Sequence, residues 1–138
     1  MRDTLDLLTQ ARIPVFGVCL GLQGIVEYFG GSLGVLDVPV HGKPSPVRAQ
    51  GGRLLRGLGD EFTVGRYHSL YAVRGNLPSV LEATAETADG VIMAIEHKSL
   101  PIAAVQFHPE SVMTAPNRTG MPIIAAALTA LCEEKETA

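Results

Sequence analysis

The run Gly17-Val18-Cys19-Leu20-Gly21 constrains this chain more than any other feature. It joins two stretches of different period. Ile13 to Cys19 is apolar and partly β-branched, the pattern of a strand covered on both faces. Pro14 is tolerable near its start. Leu22 to Phe29 reads as a helix that Gly30-Gly31 stops. Residues 3–11 read as an earlier helix, with Asp3 as N-cap and Leu5, Leu7, Leu8 and Ala11 as its apolar positions. Helix, buried strand and helix in succession predict an α/β fold with a parallel sheet. The two bracketing glycines are expected where the turn packs too closely for a Cβ.

Composition narrows the classes. The 138 residues supply one domain and are too few for two. Charged residues are 18% of the chain and apolar residues 46%, which excludes a disordered tail or a coiled coil. With a net charge of −3 and no basic cluster, neither nucleic acid nor an anionic membrane is the expected partner. No apolar run reaches the roughly 18 residues that cross a bilayer. The start, Met1-Arg2-Asp3-Thr4-Leu5-Asp6, lacks the pattern of a signal peptide. Cys19 and Cys132 lie far apart with no secretory signal, so a reduced, cytoplasmic chain is expected rather than a disulfide. No Cys or His pair has zinc-site spacing, so no zinc site is expected.

The middle of the chain is less regular. Short strands are expected around residues 33–36 and 46–50, one helical turn over 53–58, and short strands over Leu70 to Arg74 and Val80 to Thr84. Asp89-Gly90 marks a turn. Val91 to Glu96 and Ile102 to Phe107 read as strands joined through His97-Lys98-Ser99 in a hairpin. Pro122 to Glu134 reads as a helix with Pro122 in its first turn, and Cys132 as packed on it.

Gly-x-Cys-x-Gly between strand and helix has the form of a nucleophile elbow, a sharp turn that exposes one reactive side chain. The helix N-terminus favours the Cys19 thiolate, and the Leu20 N–H is placed to donate to an oxyanion. A buried structural cysteine is the competing reading. A thiolate also needs a proton carrier. His108 fits best among His41, His68, His97 and His108, because it follows the apolar strand ending at Phe107, where doubly wound sheets build sites. Pro109 holds His108 extended, so His108 and Glu110 share a face and Glu110 can orient the imidazole. His68 and His97 are read as structural. His41-Gly42-Lys43 fits either a loop beside a partner or an ordinary surface loop.

Val18-Cys19-Leu20-Gly21-Leu22-Gln23-Gly24 with Gln106-Phe107-His108-Pro109-Glu110 resembles the class I, or triad, glutamine amidotransferases. Arg66-Tyr67-His68-Ser69-Leu70 and His41-Gly42-Lys43 look like the anthranilate synthase and aminodeoxychorismate synthase branch. Met93-Ala94-Ile95-Glu96-His97 with Ala104-Val105-Gln106-Phe107 looks most like anthranilate synthases whose two components are fused. The resemblance implies a flavodoxin-like α/β fold, with a mostly parallel sheet flanked by helices. It also implies a Cys19–His108–Glu110 triad that hydrolyses L-glutamine through a thioester. Gln23 matches a position that contacts glutamine, while Ser69 and Leu70 match a segment whose main chain meets its amino-acid end. Without the resemblance, Gln23 reads as a helix-surface residue and Ser69 as a turn residue. The ammonia would pass to a chorismate-utilising synthase component or fused domain, and magnesium would belong to that partner.

The family places several strands and a Pro-Gly-Pro-Gly-like loop before its nucleophile. Here Cys19 stands close to Met1, and no such loop precedes it. The expectation is a C-terminal, incomplete part of a type 1 amidotransferase domain over residues 1–138, without the N-terminal strands. The alternatives are the aminodeoxychorismate branch, a non-catalytic remnant that docks on a synthase, and a hydrolase using the same triad on another substrate.

Overall fold

A computed structural model describes residues 2–11, 13–49 and 61–107 of the chain. The expectations placed on residues 53–58, on His108 and Glu110, on the helix over 122–134 and on Cys132 lie outside the described residues. The elements are α1 (Arg2–Gln10), β1 (Val15–Val18), α2 (Leu20–Tyr28), β2 (Leu33–Ala49), β3 (Glu61–Ala72), a 3-10 turn (Arg74–Asn76), β4 (Leu81–Thr87), β5 (Ile92–His97) and β6 (Ile102–Val105).

The strands form one six-stranded sheet in the order β1-β6-β5-β4-β2-β3. β1 and β6 pair in parallel, from Val15 opposite Ile102 to Val18 opposite Val105. The other pairings are antiparallel. The expected parallel sheet therefore holds at β1–β6, and the remainder makes the sheet mixed. The reason is connection length. Residues 88–91 and 98–101 are too few for the crossover that a parallel pair requires, and each closes a hairpin instead. Gly90, at φ +87, makes the first of these turns.

The two short strands expected over 33–36 and 46–50 are one 17-residue strand. Pro44 and Pro46 do not break it, because β2 pairs with β3 for most of its length and meets β4 only at Val47–Ala49. A proline is tolerated where its missing N–H would face away from a partner strand. Irregular registers between Val35 and Val40, and between His41 and Lys43, bend the strand. His41-Gly42-Lys43 is thus strand with a bulge rather than loop. β3 likewise begins well before Leu70, and Arg74 lies in the 3-10 turn.

Every residue of β5 and β6 is buried, because both faces of the sheet are covered. Leu22, Ile25 and Val26 of α2 pack with Leu5, Ile92, Ile95, Ile102 and Ala104 on one face. Val47, Val64, Met93, Ala103, Val105 and Phe107 form the core of the other. Ile92 and Ile95 reach the same face although three residues apart, since the register between β4 and β5 slips at this point. The Tyr28 hydroxyl donates to Asp6 and ties α2 to α1.

Candidate active site

The site is built where β1 becomes α2. Cys19 stands between them at φ 53, ψ −96, and is the only non-glycine with positive φ among the described residues. Such a conformation costs about 1–3 kcal/mol and persists only where surrounding contacts impose it. Here the Cys19 N–H donates to the Val105 carbonyl at 2.8 Å, which extends the β1–β6 ladder one step past the strand. On the other side the Cys19 carbonyl accepts the first helical bond of α2, from the Gln23 N–H at 3.2 Å. The chain turns sharply between these two bonds, and the side chain leaves at the head of the helix. The helix starts at Leu20, two residues earlier than expected.

The two glycines of the turn differ. A Cβ on Gly17 would lie 2.9 Å from the Gly21 carbonyl carbon and 3.1 Å from Ile25 Cδ1, so Gly17 is required by close packing. A Cβ on Gly21 would meet nothing within 4 Å. The expectation that both glycines avoid a clash therefore holds for Gly17 alone. At Gly21 it fails because that Cβ would stand in open space.

A cavity of about 400 Å³ opens beside the turn, lined by Val18, Cys19, Leu20, Gln23, His68, Ser69 and Leu70. Cys19 and the four residues expected at the glutamine pocket thus share one cavity, brought together from β1, α2 and β3. Leu20 is 69% exposed at its rim. The N–H groups of Leu20, Gly21 and Leu22 precede the first intrahelical donor, so helical geometry directs them outward at this end. Gln23 is not a helix-surface residue: it is 5% exposed. Its Nε2 lies 3.5 Å from both the Leu70 carbonyl and Gln106 Oε1. Ser69 lies within β3 rather than in a turn.

Two further residues belong to this site and were not expected there. His68 is buried, lines the cavity, and its Nδ1 is 2.8 Å from the Leu70 carbonyl. A carbonyl only accepts, so Nδ1 carries the proton and donates. Gln106 is fully buried, and its Nε2 lies 3.5 Å from Cys19 Sγ. The available signal was positional, because Gln106 follows the last residue of a strand that exits beside the elbow. His97 is different. Its Nδ1 accepts from the N–H groups of Ser99 at 3.0 Å and Leu100 at 2.9 Å, which caps the β5–β6 hairpin away from the cavity.

The model of the glutamine amidotransferase class-I family matches residues 1–122. This chain belongs to the class I glutamine amidotransferases. It is 57% identical over 121 residues to a protein from Azospirillum brasilense named anthranilate synthase, covering 88% of this chain and 16% of that relative. It is 47% identical over 104 residues to the aminodeoxychorismate/anthranilate synthase component 2 of Bacillus subtilis, covering 75% of this chain and 54% of that one. A solved Thermoplasma acidophilum protein, described as a candidate GMP synthase subunit, superposes with a TM-score of 0.79. It is 30% identical, and the match covers 90% of this chain and 60% of that one. The amidotransferase chain therefore spans about half the length of the component 2 relative and a sixth of the longer one.

Among the described residues, no group of three His, Cys, Asp or Glu side chains is gathered as a metal site. No helix among them is long and apolar enough to cross a membrane.

Proposed function

We propose that this chain carries the glutamine-hydrolysing site of an anthranilate synthase, with Cys19 as the nucleophile. The observation that supports this best is the strained backbone of Cys19 at the head of α2, beside a cavity that Gln23, Ser69 and Leu70 also line. A strained nucleophile next to aligned donors suits acyl transfer.

In this reading the Cys19 thiolate attacks the side-chain amide carbon of L-glutamine. The carbonyl oxygen becomes an oxyanion that accepts from the Leu20 N–H. His108 gives a proton to the departing nitrogen as the C–N bond breaks, leaving ammonia and a γ-glutamyl thioester on Cys19. His108 then takes a proton from water, whose oxygen attacks the thioester. The C–S bond breaks, glutamate leaves and the thiolate returns. Glu110 holds the imidazole through both steps. Gln23, with the main chain of Ser69 and Leu70, holds the substrate. The ammonia passes to a chorismate-utilising synthase component or fused domain.

The pathway half of the proposal rests on the relative named anthranilate synthase. The Bacillus subtilis relative carries both branch names, which makes the aminodeoxychorismate branch the second reading.

The test is intact-mass detection of Cys19 alkylation by a glutamine-like diazoketone. One adduct is expected, suppressed by excess L-glutamine and absent in Cys19→Ala. No adduct on the native chain, or one that glutamine does not suppress, counts against the site. The acceptor is tested separately. Supplying chorismate and each type of synthase in turn should yield anthranilate, and exclusive formation of aminodeoxychorismate would transfer the chain to the other branch.

A further inference from the structure

The parallel register of β1 and β6 places Val18 opposite Val105, so Cys19 and Gln106 leave the sheet at the same level. Both are anchored there by backbone bonds of 2.8 Å, from the Cys19 N–H to Val105 and from the Gln106 N–H to Met93. The Gln106 side chain is fully buried, a costly place for an amide unless its polar atoms are engaged. Its Nε2 faces Cys19 Sγ at 3.5 Å, an ordinary length for an N–H···S contact. Its Oε1 faces Gln23 Nε2 at 3.5 Å, long for an N–H···O contact.

The direction of this relay is settled at its far end. Gln23 Nε2 also faces the Leu70 carbonyl, which only accepts, so that end of Gln23 must be the nitrogen. A nitrogen there requires an oxygen on Gln106 facing it. The remaining end of the Gln106 amide, the one toward sulfur, is then NH₂. The path from Leu70 through Gln23 and Gln106 thus presents a hydrogen-bond donor to the cysteine.

We infer that Gln106 is a further catalytic residue of this site: its side-chain amide, oriented by Gln23, donates to Cys19 Sγ and favours the thiolate. The inference rests on Cys19 being the nucleophile. A donor to the charged form stabilises that form, and a thiolate gains more from it than a thiol. The same bond holds the sulfur at one position before substrate arrives, which is how a second group preorganises a nucleophile. The titratable groups that bear on Cys19 are His68 of β3, which lines the cavity, and His108 in the proposed mechanism. Neither is substituted in any variant below.

The experiment is the pH profile of Cys19 alkylation by iodoacetamide on the full chain, with the labelled peptide identified by mass. The native chain should show a midpoint below the ordinary thiol value of about 8.5. Gln106→Met keeps the length of the side chain and removes the donor. Its midpoint should rise by about one pH unit, a roughly tenfold loss of thiolate at neutral pH. Gln106→Glu keeps an acceptor for Gln23 but turns a carboxylate toward sulfur, and should raise the midpoint further. A native midpoint that is depressed and unchanged in both variants overturns the inference and leaves the nucleophile reading standing. A native midpoint at or above the ordinary value sinks both. Should the buried substitutions unfold the chain, as seen by circular dichroism, Gln23→Met reads the same relay from its other end. A rise in its midpoint supports the relay, and an unchanged midpoint refutes it.

Discussion

Gln106 and Cys19, 87 residues apart in sequence, meet at 3.5 Å because two parallel strands end at the same level. The contact links the elbow to the far edge of the same cavity, where Gln23 and Leu70 stand. The supports of that arrangement are separable by substitution.

Gly17→Ala drives a Cβ into the Gly21 backbone and Ile25. Backbone cannot swing aside as a side chain can, so the cost is about 1–3 kcal/mol. Urea unfolding should show this loss, together with reduced diazoketone labelling of Cys19. Gly21→Ala meets nothing and adds helix propensity, so its stability should stay level or rise by up to about 1 kcal/mol.

Cys19→Gly should be more stable than Cys19→Ala. Both remove the thiol, but only glycine adopts φ 53 without a steric penalty. The expected difference is about 1 kcal/mol in chemical denaturation. Equal stability would mean that the elbow stores no strain at this residue.

His68→Phe keeps a buried ring and removes the bond from Nδ1 to the Leu70 carbonyl. That carbonyl helps to fix Gln23, so the main effect should fall on substrate binding. Steady-state glutaminase kinetics should show KM for L-glutamine raised about tenfold, with kcat changed less than about threefold. A fall in kcat at constant KM would give His68 a part in the chemical step instead.

Tyr28→Phe removes the hydroxyl that bonds Asp6 between the two helices. A loss of about 1 kcal/mol is expected on thermal or urea unfolding. Because Tyr28 stands at the end of α2 remote from Cys19, the rate of diazoketone labelling should be unchanged.

The elements legible in the sequence are those whose signals are local. The apolar run before Cys19, the helix after it, the turn at Asp89-Gly90 and the hairpin through His97 each depend on neighbours within a few residues. The same holds for the candidate nucleophile, since strand, turn and helix around Cys19 are contiguous. The length of β2 was not legible, because Pro39, Pro44 and Pro46 argue against a strand when read alone. Among the described residues most of its other flank has no partner strand, which makes those prolines tolerable, and such a flank is defined only by the assembled sheet.

The sequence by itself determined the strand–elbow–helix unit, the cysteine at its turn, and the apolar pattern that buries β5 and β6. The tertiary structure decided that Gln23 is buried, that Ser69 and Leu70 of β3 stand beside the cysteine, and that Gln106 points its amide at the sulfur. The reason is that strand order and register couple residues far apart in the chain. Residue period shows only which faces of an element are apolar, and pairing alone decides which element comes to lie against which.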